Sequence, residues 1–368
     1  MGQLHIQVPA VEQKRYTIHI GNALLPSLLD QVATALPQAR PFVITDQNLV
    51  EAGHLAALLG KCPVPHYVIN PPGEISKHVN TVIAILEAME KAYLGRDSVV
   101  IALGGGTVGD IAGFVAASFK RGIPVVQVPT TSLAQADSSV GGKTGVDSSL
   151  SKNAFGAFWH PTVVYMDVST LNTLNDRDYR AGLVESVKHA MIADERYFEF
   201  IESNVDALLQ RDPAVLTSMA ETNCRIKGHV VQIDPQERNM RRILNYGHTL
   251  GHAVESASGY GLLHGEAIGI GLLGAARIEI ELGLGSLDRY QRIEALLKNL
   301  GIPVKIPGDL SEEKILDFIK RDKKAVDKWP KFVLISRFGQ IHRDADQWAV
   351  DVDPSIVKNV IKTLLNSR

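Results

Sequence analysis

Ser98-Val99-Val100-Ile101-Ala102-Leu103-Gly104-Gly105-Gly106-Thr107-Val108-Gly109-Asp110 is the stretch that decides the fold class. The unbroken apolar run to Leu103 predicts a strand buried on both faces, as in a parallel sheet. Three glycines follow, and then a helical pattern. Glycines let the backbone approach a pyrophosphate closely, and a helix N-terminus offers free N–H donors and the positive end of the dipole. The spacing is not Gly-x-Gly-x-x-Gly, so the usual dinucleotide fingerprint is absent. A tight turn without a ligand is the alternative, and phosphate or dinucleotide binding is the preferred reading. Extended from Val99 to Phe119, the segment is also the nearest imitation of a membrane span, but Asp110 and the glycines would be costly in lipid.

Around this unit, short apolar runs alternate with helical spacing. Leu4 to Val8 and Tyr16 to Ile20 read as opening strands, and Pro41 to Asp46 as a strand followed by a helix from about Leu49. His66 to Ile69, Val125 to Val128 and Val163 to Met166 continue the pattern. A mainly parallel sheet covered by helices is expected. From Tyr179 to Leu300 the spacing is helical almost throughout, with strand signals returning weakly at Lys331 to Ser336. The expected division is an α/β Rossmann-like domain over 1–177 and an all-α domain over 178–368.

A chain of 368 residues exceeds one ordinary core, consistent with two domains. Its formal net charge is −2, so no global field draws it to nucleic acid or to an anionic membrane. Two cysteines, Cys62 and Cys224, exclude a disulfide framework. The N-terminus lacks a charged segment followed by an apolar run, and a cytoplasmic location is expected.

The second half carries Asn245-Tyr246-Gly247-His248-Thr249-Leu250-Gly251-His252, then His264-Gly265-Glu266. His248 and His252 share one helix face. With His264 and an acidic partner they make a candidate metal site, although a solvated face is the plainer reading of the pair alone. The fragment is not His-Glu-x-x-His, so the zinc-protease reading lacks its base. Gly182-Leu183-Val184-Glu185-Ser186-Val187-Lys188 places Glu185 and Lys188 on a shared helix face. Asp137 to Thr144 joins a carboxylate, a Gly-Gly turn and Lys143. It is not a nucleotide-triphosphate loop, because Asp137 stands where the first glycine is required.

Taken in order, these elements resemble the 3-dehydroquinate synthase family. They are Pro-Gly-Glu-x-Ser-Lys at 72–77, Gly-Gly-Gly-x-Val-Gly-Asp at 104–110, Val-Pro-Thr-Thr at 128–131, Asp-Ser-Ser-Val-Gly-Gly-Lys-Thr at 137–144, Lys-Asn at 152–153, Gly-Leu-x-Glu at 182–185, and the two histidine segments. The resemblance implies an N-terminal NAD-binding domain, a C-terminal helical metal-binding domain and a homodimer. The implied reaction turns 3-deoxy-D-arabino-heptulosonate 7-phosphate into 3-dehydroquinate and phosphate, in the shikimate pathway. It proceeds by transient oxidation by NAD, phosphate elimination, re-reduction and aldol closure, with zinc or cobalt as the metal.

By the same resemblance, Glu185, His248 and His264 are the metal ligands. The NAD positions are Asp46, Glu74, Lys77, Gly106, Thr107, Val108, Gly109, Asp110, Thr130, Thr131, Lys143, Lys152, Thr170, Leu171, Asn172 and Thr173. Substrate positions are Lys143, Asn153, Lys227, Arg241, Asn245, His252, and Lys323 or Lys324, with Arg121 lent by a partner subunit. His252, Lys188, Asp137, Lys143 and Glu237 carry catalytic roles. Three departures stand out: Asp234-Pro235-Gln236-Glu237 replaces the family's Asp-Glu-Arg-Glu, the run Ala325-Val326-Asp327-Lys328-Trp329-Pro330 after Lys324 is unusual and leaves open which lysine reaches the phosphate, and His189 stands where an aromatic residue is common and receives no role. The alternatives are another sugar phosphate cyclase, a metal-dependent alcohol or glycerol dehydrogenase, and an inactive NAD-binding regulator.

Overall fold

The computed structural model describes residues 14–259, 261–320 and 329–366. Its centre is a six-stranded sheet formed by β1 (Thr17–Gly21), β2 (Arg40–Asp46), β3 (His66–Ile69), β4 (Ser98–Gly104), β5 (Val125–Pro129) and β8 (Val163–Asp167), in the order β1-β8-β5-β4-β2-β3. Every neighbouring pair is parallel. All seven residues of β4 are buried. Side chains alternate across a strand, so Val100 and Ala102 join one core with Ile111 and Val115, while Val99, Ile101 and Leu103 join another with Leu28 and Leu55. That is why the run could be apolar throughout: helices cover both faces.

The strand order reverses between β2 and β4. The chain leaves β2 for β3 on one side, and leaves β4 for β5 on the other. Open α/β sheets hold ligands outside the carboxyl ends of strands at such a switch point. Here those ends are Asp46 and Gly104.

Several expectations are corrected. The helix expected from about Leu49 is two short pieces, Gln47–Glu51 and His54–Leu59, separated where Gly53 turns left-handed at φ 79°. A hairpin of β6 (Lys143–Val146) and β7 (Phe155–Phe158) was not foreseen. Its strands are short and contain Gly145 and Gly156, so they show little alternation. The weak signal at Lys331 to Ser336 condenses to Ile335–Arg337 paired with Gln340–Ile341. The strand expected at Leu4 to Val8 lies outside the described residues.

Beyond Asp176 the elements among the described residues are helices, apart from that short pair of strands. Helices Asp176–Ala193, Pro213–Ile233, His248–Ala257 and His264–Glu281 pack around Val184, Val187, Leu250, Val254, Ile268 and Leu272. The helix His264–Glu281 is buried nearly all round. Among the described residues no helix is long and apolar enough to cross a membrane.

Candidate active site

Three helices bring the metal-ligand candidates together. Glu185 lies in the Asp176–Ala193 helix, whose start is capped by Asn175 accepting from the Asp178 amide. His248 and His264 are each the first residue of their helices. Gly247 makes the entry to the first possible: its φ is 77°, and an added Cβ would come within 2.9 Å of the Leu272 backbone nitrogen. One Glu185 oxygen, Oε1, lies 3.6 Å from His248 Nε2 and 3.6 Å from His264 Nε2. Neither separation is a hydrogen bond; Oε1 is buried without a hydrogen-bond partner, while Oε2 pairs with Lys188. Donors about 2.1 Å from one tetrahedral zinc-sized ion sit about 3.4 Å from each other. The donor set therefore fits a divalent cation, with one carboxylate oxygen facing two imidazole nitrogens. His252 closes a ring of three imidazoles, its centroid 5.1 Å from that of His248 and 5.7 Å from that of His264.

The far nitrogens of both histidines are anchored. His248 Nδ1 lies 3.0 Å from the Tyr246 carbonyl oxygen, so it is the donor and leaves Nε2 as the lone pair. His264 Nδ1 lies 3.2 Å from Glu255 Oε2. Burial, aided by Lys188, pushes the His248 imidazole down to about 3, so it stays neutral. For His264 burial also favours the neutral ring, but the neighbouring carboxylates of Glu185 and Glu255 outweigh it and raise its pKa to about 9. A cation held beside Glu185 would take the place of the second His264 proton, because a ligating imidazole must be deprotonated at the metal-bound nitrogen. Glu255 was missed in the sequence, although His248, His252 and Glu255 follow i, i+4, i+7 spacing on one helix face. Glu255→Gln should weaken zinc binding roughly 10- to 100-fold with little change in folding. Competitive chelator titration checks this, and unchanged affinity would remove Glu255 from the site.

A second cluster adjoins the first. Asp137 sits in a short π-helical turn, Ala134–Ser138. Lys227 Nζ bonds its Oδ1 at 2.8 Å and also donates to the Asp137 carbonyl oxygen. Lys188 is paired with Glu185. Burial would raise the Asp137 pKa, but Lys227 and Lys188 overcome it and hold the carboxylate ionised. His189 is fully buried. Its Nδ1 lies 3.1 Å from Asn223 Oδ1, and its Nε2 is 4.0 Å from Asp137 Oδ1. Tyr197 donates to the same Asn223 oxygen at 2.9 Å, and the Asn223 amide donates to Ser186 at 2.8 Å. This buried network, which includes the unassigned His189, was not legible from local spacing. Arg241, 2% exposed, donates to the carbonyls of Gly141 at 3.1 Å and Pro235 at 2.8 Å.

The cofactor candidates gather at the sheet's switch point. The helix Gly106–Ser118 starts there, and its Gly105 cap has no side chain. Lys77 bonds Asp110 at 2.7 Å, and Thr107 donates to Glu74 at 3.1 Å. Asp46 ends β2 and caps the next helix through the Leu49 amide at 3.2 Å. Lys152 spans the two groups, 3.8 Å from Glu74 and 3.5 Å from Glu255. Thr131 receives the Ala134 amide, while Thr130 is buried.

The side chains of Val108, Thr170 and Leu171 are buried. Val108 packs in the helix core, and Thr170 and Leu171 are each 1% exposed, with Thr170 bonded to Gln135 and the Asp167 carbonyl. Their side chains are used by the core, leaving Asn172 and Thr173 at the surface of that segment. Asn153 is exposed on the hairpin loop with φ 51°. Arg121 follows the far end of the 13-residue helix, about 20 Å of helix from Gly106. Lys323 and Lys324 lie outside the described residues.

The family profile for the N-terminal part of 3-dehydroquinate synthase matches residues 67–181, and that for the C-terminal part matches residues 182–325. Over 351 residues the chain is 41% identical to 3-dehydroquinate synthase of Symbiobacterium thermophilum, covering 92% of this chain and 98% of that one. Among solved structures, 2-epi-5-epi-valiolone synthase from Streptomyces hygroscopicus subsp. jinggangensis 5008, with NAD+ and Zn2+ bound, superposes with a TM-score of 0.87. It shows 27% identity and covers 99% of this chain and 100% of that one. A 2-deoxy-scyllo-inosose synthase complexed with carbaglucose-6-phosphate, NAD+ and Co2+ gives a TM-score of 0.86 at 27% identity, over 95% of this chain and 96% of that one. With profile matches running continuously from the sheet into the helical half, the chain belongs to the 3-dehydroquinate synthase family.

Proposed function

We propose that this chain is an NAD- and divalent-metal-dependent carbon–oxygen lyase. It converts 3-deoxy-D-arabino-heptulosonate 7-phosphate to 3-dehydroquinate and inorganic phosphate in the shikimate pathway. The observation that carries the reading is the Glu185 oxygen set 3.6 Å from two imidazole nitrogens, beside a cluster of lysines. Glu185, His248 and His264 would hold zinc or cobalt, and Asp46, Glu74, Lys77, the Gly106 to Asp110 turn, Thr130, Thr131, Asn172 and Thr173 would hold NAD. Bound there, the cation supplies Lewis-acid polarisation of a substrate hydroxyl and NAD supplies reversible hydride acceptance.

The chain's own side chains do the rest. Arg241 and Lys227 line the place for the substrate carboxylate, where a planar guanidinium suits two-point binding. Lys143, Asn153, Asn245 and His252, with Lys323 or Lys324, surround the phosphate. His252 is set to move a proton between substrate and leaving phosphate, one helical turn from His248. Asp137, Lys188 and Lys227 form a fixed set of charges that need not reorganise as charge develops on the substrate. The division near residue 177 puts cofactor groups on 1–177 and metal groups on 178–368. The protein acts as a cytoplasmic homodimer in which Arg121 serves the partner's site.

Incubating the protein with the heptulosonate phosphate, NAD and zinc should yield 3-dehydroquinate, identified by NMR. A different carbocycle from this substrate, or none, would contradict the proposal.

A further inference from the structure

The turn at 234–241 holds a carboxylate against groups assigned to the substrate. Asp234 accepts the backbone amides of Arg238 at 2.9 Å, Asn239 at 2.7 Å and Arg241 at 3.1 Å. At its tip Glu237 adopts left-handed backbone with φ 56°, a conformation unfavourable for a residue with a side chain. There its carboxylate meets two side chains. One oxygen pairs with Lys143 Nζ, and the other accepts from Asn245 Nδ2 at 3.1 Å. Lys143 comes from the β6 strand and Asn245 from the segment leading into His248, so one side chain ties the two halves together.

We infer that Glu237 is an intramolecular competitor of the substrate's phosphate for Lys143 and Asn245. This rests on the proposed phosphate role of those two residues. A carboxylate and a phosphate offer the same chemistry to an ammonium and an amide N–H: oxygen acceptors with negative charge. Phosphate entry requires Glu237 to release both groups, and its return helps expel the inorganic phosphate produced. Lys143 stays half-exposed while Glu237 is mostly covered, so the pair is a weak, exchangeable contact rather than a buried lock.

The test is calorimetric titration of inorganic phosphate into protein loaded with zinc and NAD. Glu237→Gln keeps the shape and the backbone conformation but removes the charge, and should bind phosphate about fivefold more tightly, the scale of one partly exposed ion pair. Product inhibition by phosphate should deepen by the same factor, and Glu237→Ala should move in the same direction. Lys143→Met should weaken phosphate binding. Unchanged or weaker binding in both Glu237 variants overturns the inference, including the case where turnover falls with phosphate affinity unmoved, which would make Glu237 a proton-transfer group. If Lys143→Met leaves phosphate binding untouched, the phosphate assignment itself fails and the competitor role fails with it.

Discussion

His248→Ala should lose more than about a hundredfold in zinc affinity, while His252→Ala should retain zinc and lose roughly 10²- to 10⁴-fold in turnover. The two rings lie one helical turn apart, with centroids 5.1 Å from each other, so proximity does not separate their roles. Glu185 and the backbone separate them. His248 has its Nδ1 fixed by the Tyr246 carbonyl and its Nε2 aimed at Glu185 Oε1. His264 is arranged in parallel fashion by Glu255. Metal content after dialysis and a single-turnover rate distinguish the variants. Equal metal loss in both would make His252 a fourth ligand.

Gly265→Ala should be the most damaging single methyl added to the site. The glycine directly follows His264, and an added Cβ would lie 1.8 Å from the Ala181 carbonyl oxygen and 2.5 Å from its carbon. Those are backbone atoms of the helix that carries Glu185, one turn before it, so no side-chain rotation relieves the clash. The two helices must separate, which costs about 3 kcal/mol or more by the scale of severe overpacking. The same displacement pulls His264 from Glu185. Thermal denaturation with and without zinc should show a lower transition and a smaller zinc-induced rise than the unaltered protein. A normal transition with a full zinc response would show that the helices are not held this closely.

How much of this was legible depended on where each signal lies. The β4 run and its glycine turn were readable because burial on both faces leaves an uninterrupted apolar segment. Glu185, His248 and His264 were put forward together by the family resemblance, and the fold sets Glu185 Oε1 3.6 Å from a ring nitrogen of each histidine. Backbone partners were not readable: the Tyr246 carbonyl that sets the His248 tautomer leaves no residue-type signature. Glu255 was readable in principle from its helical spacing, but its target, His264, lies across a turn on another helix. Motif position says nothing about which side chains face inward, and the side chains of Thr170 and Leu171 are both buried. The Asn223–His189–Asp137 network joins residues far apart in sequence, and only packing places them together.

In the proposed reaction NAD is used and returned within each turnover, beside a metal held by Glu185, His248 and His264. Recording reduced nicotinamide and released phosphate in the same reaction, with the heptulosonate phosphate in excess over enzyme, tests it most directly. Phosphate should accumulate over many turnovers while reduced nicotinamide stays below the enzyme concentration. Reduced nicotinamide rising mole for mole with substrate consumed would contradict the account and mark the protein as a dehydrogenase.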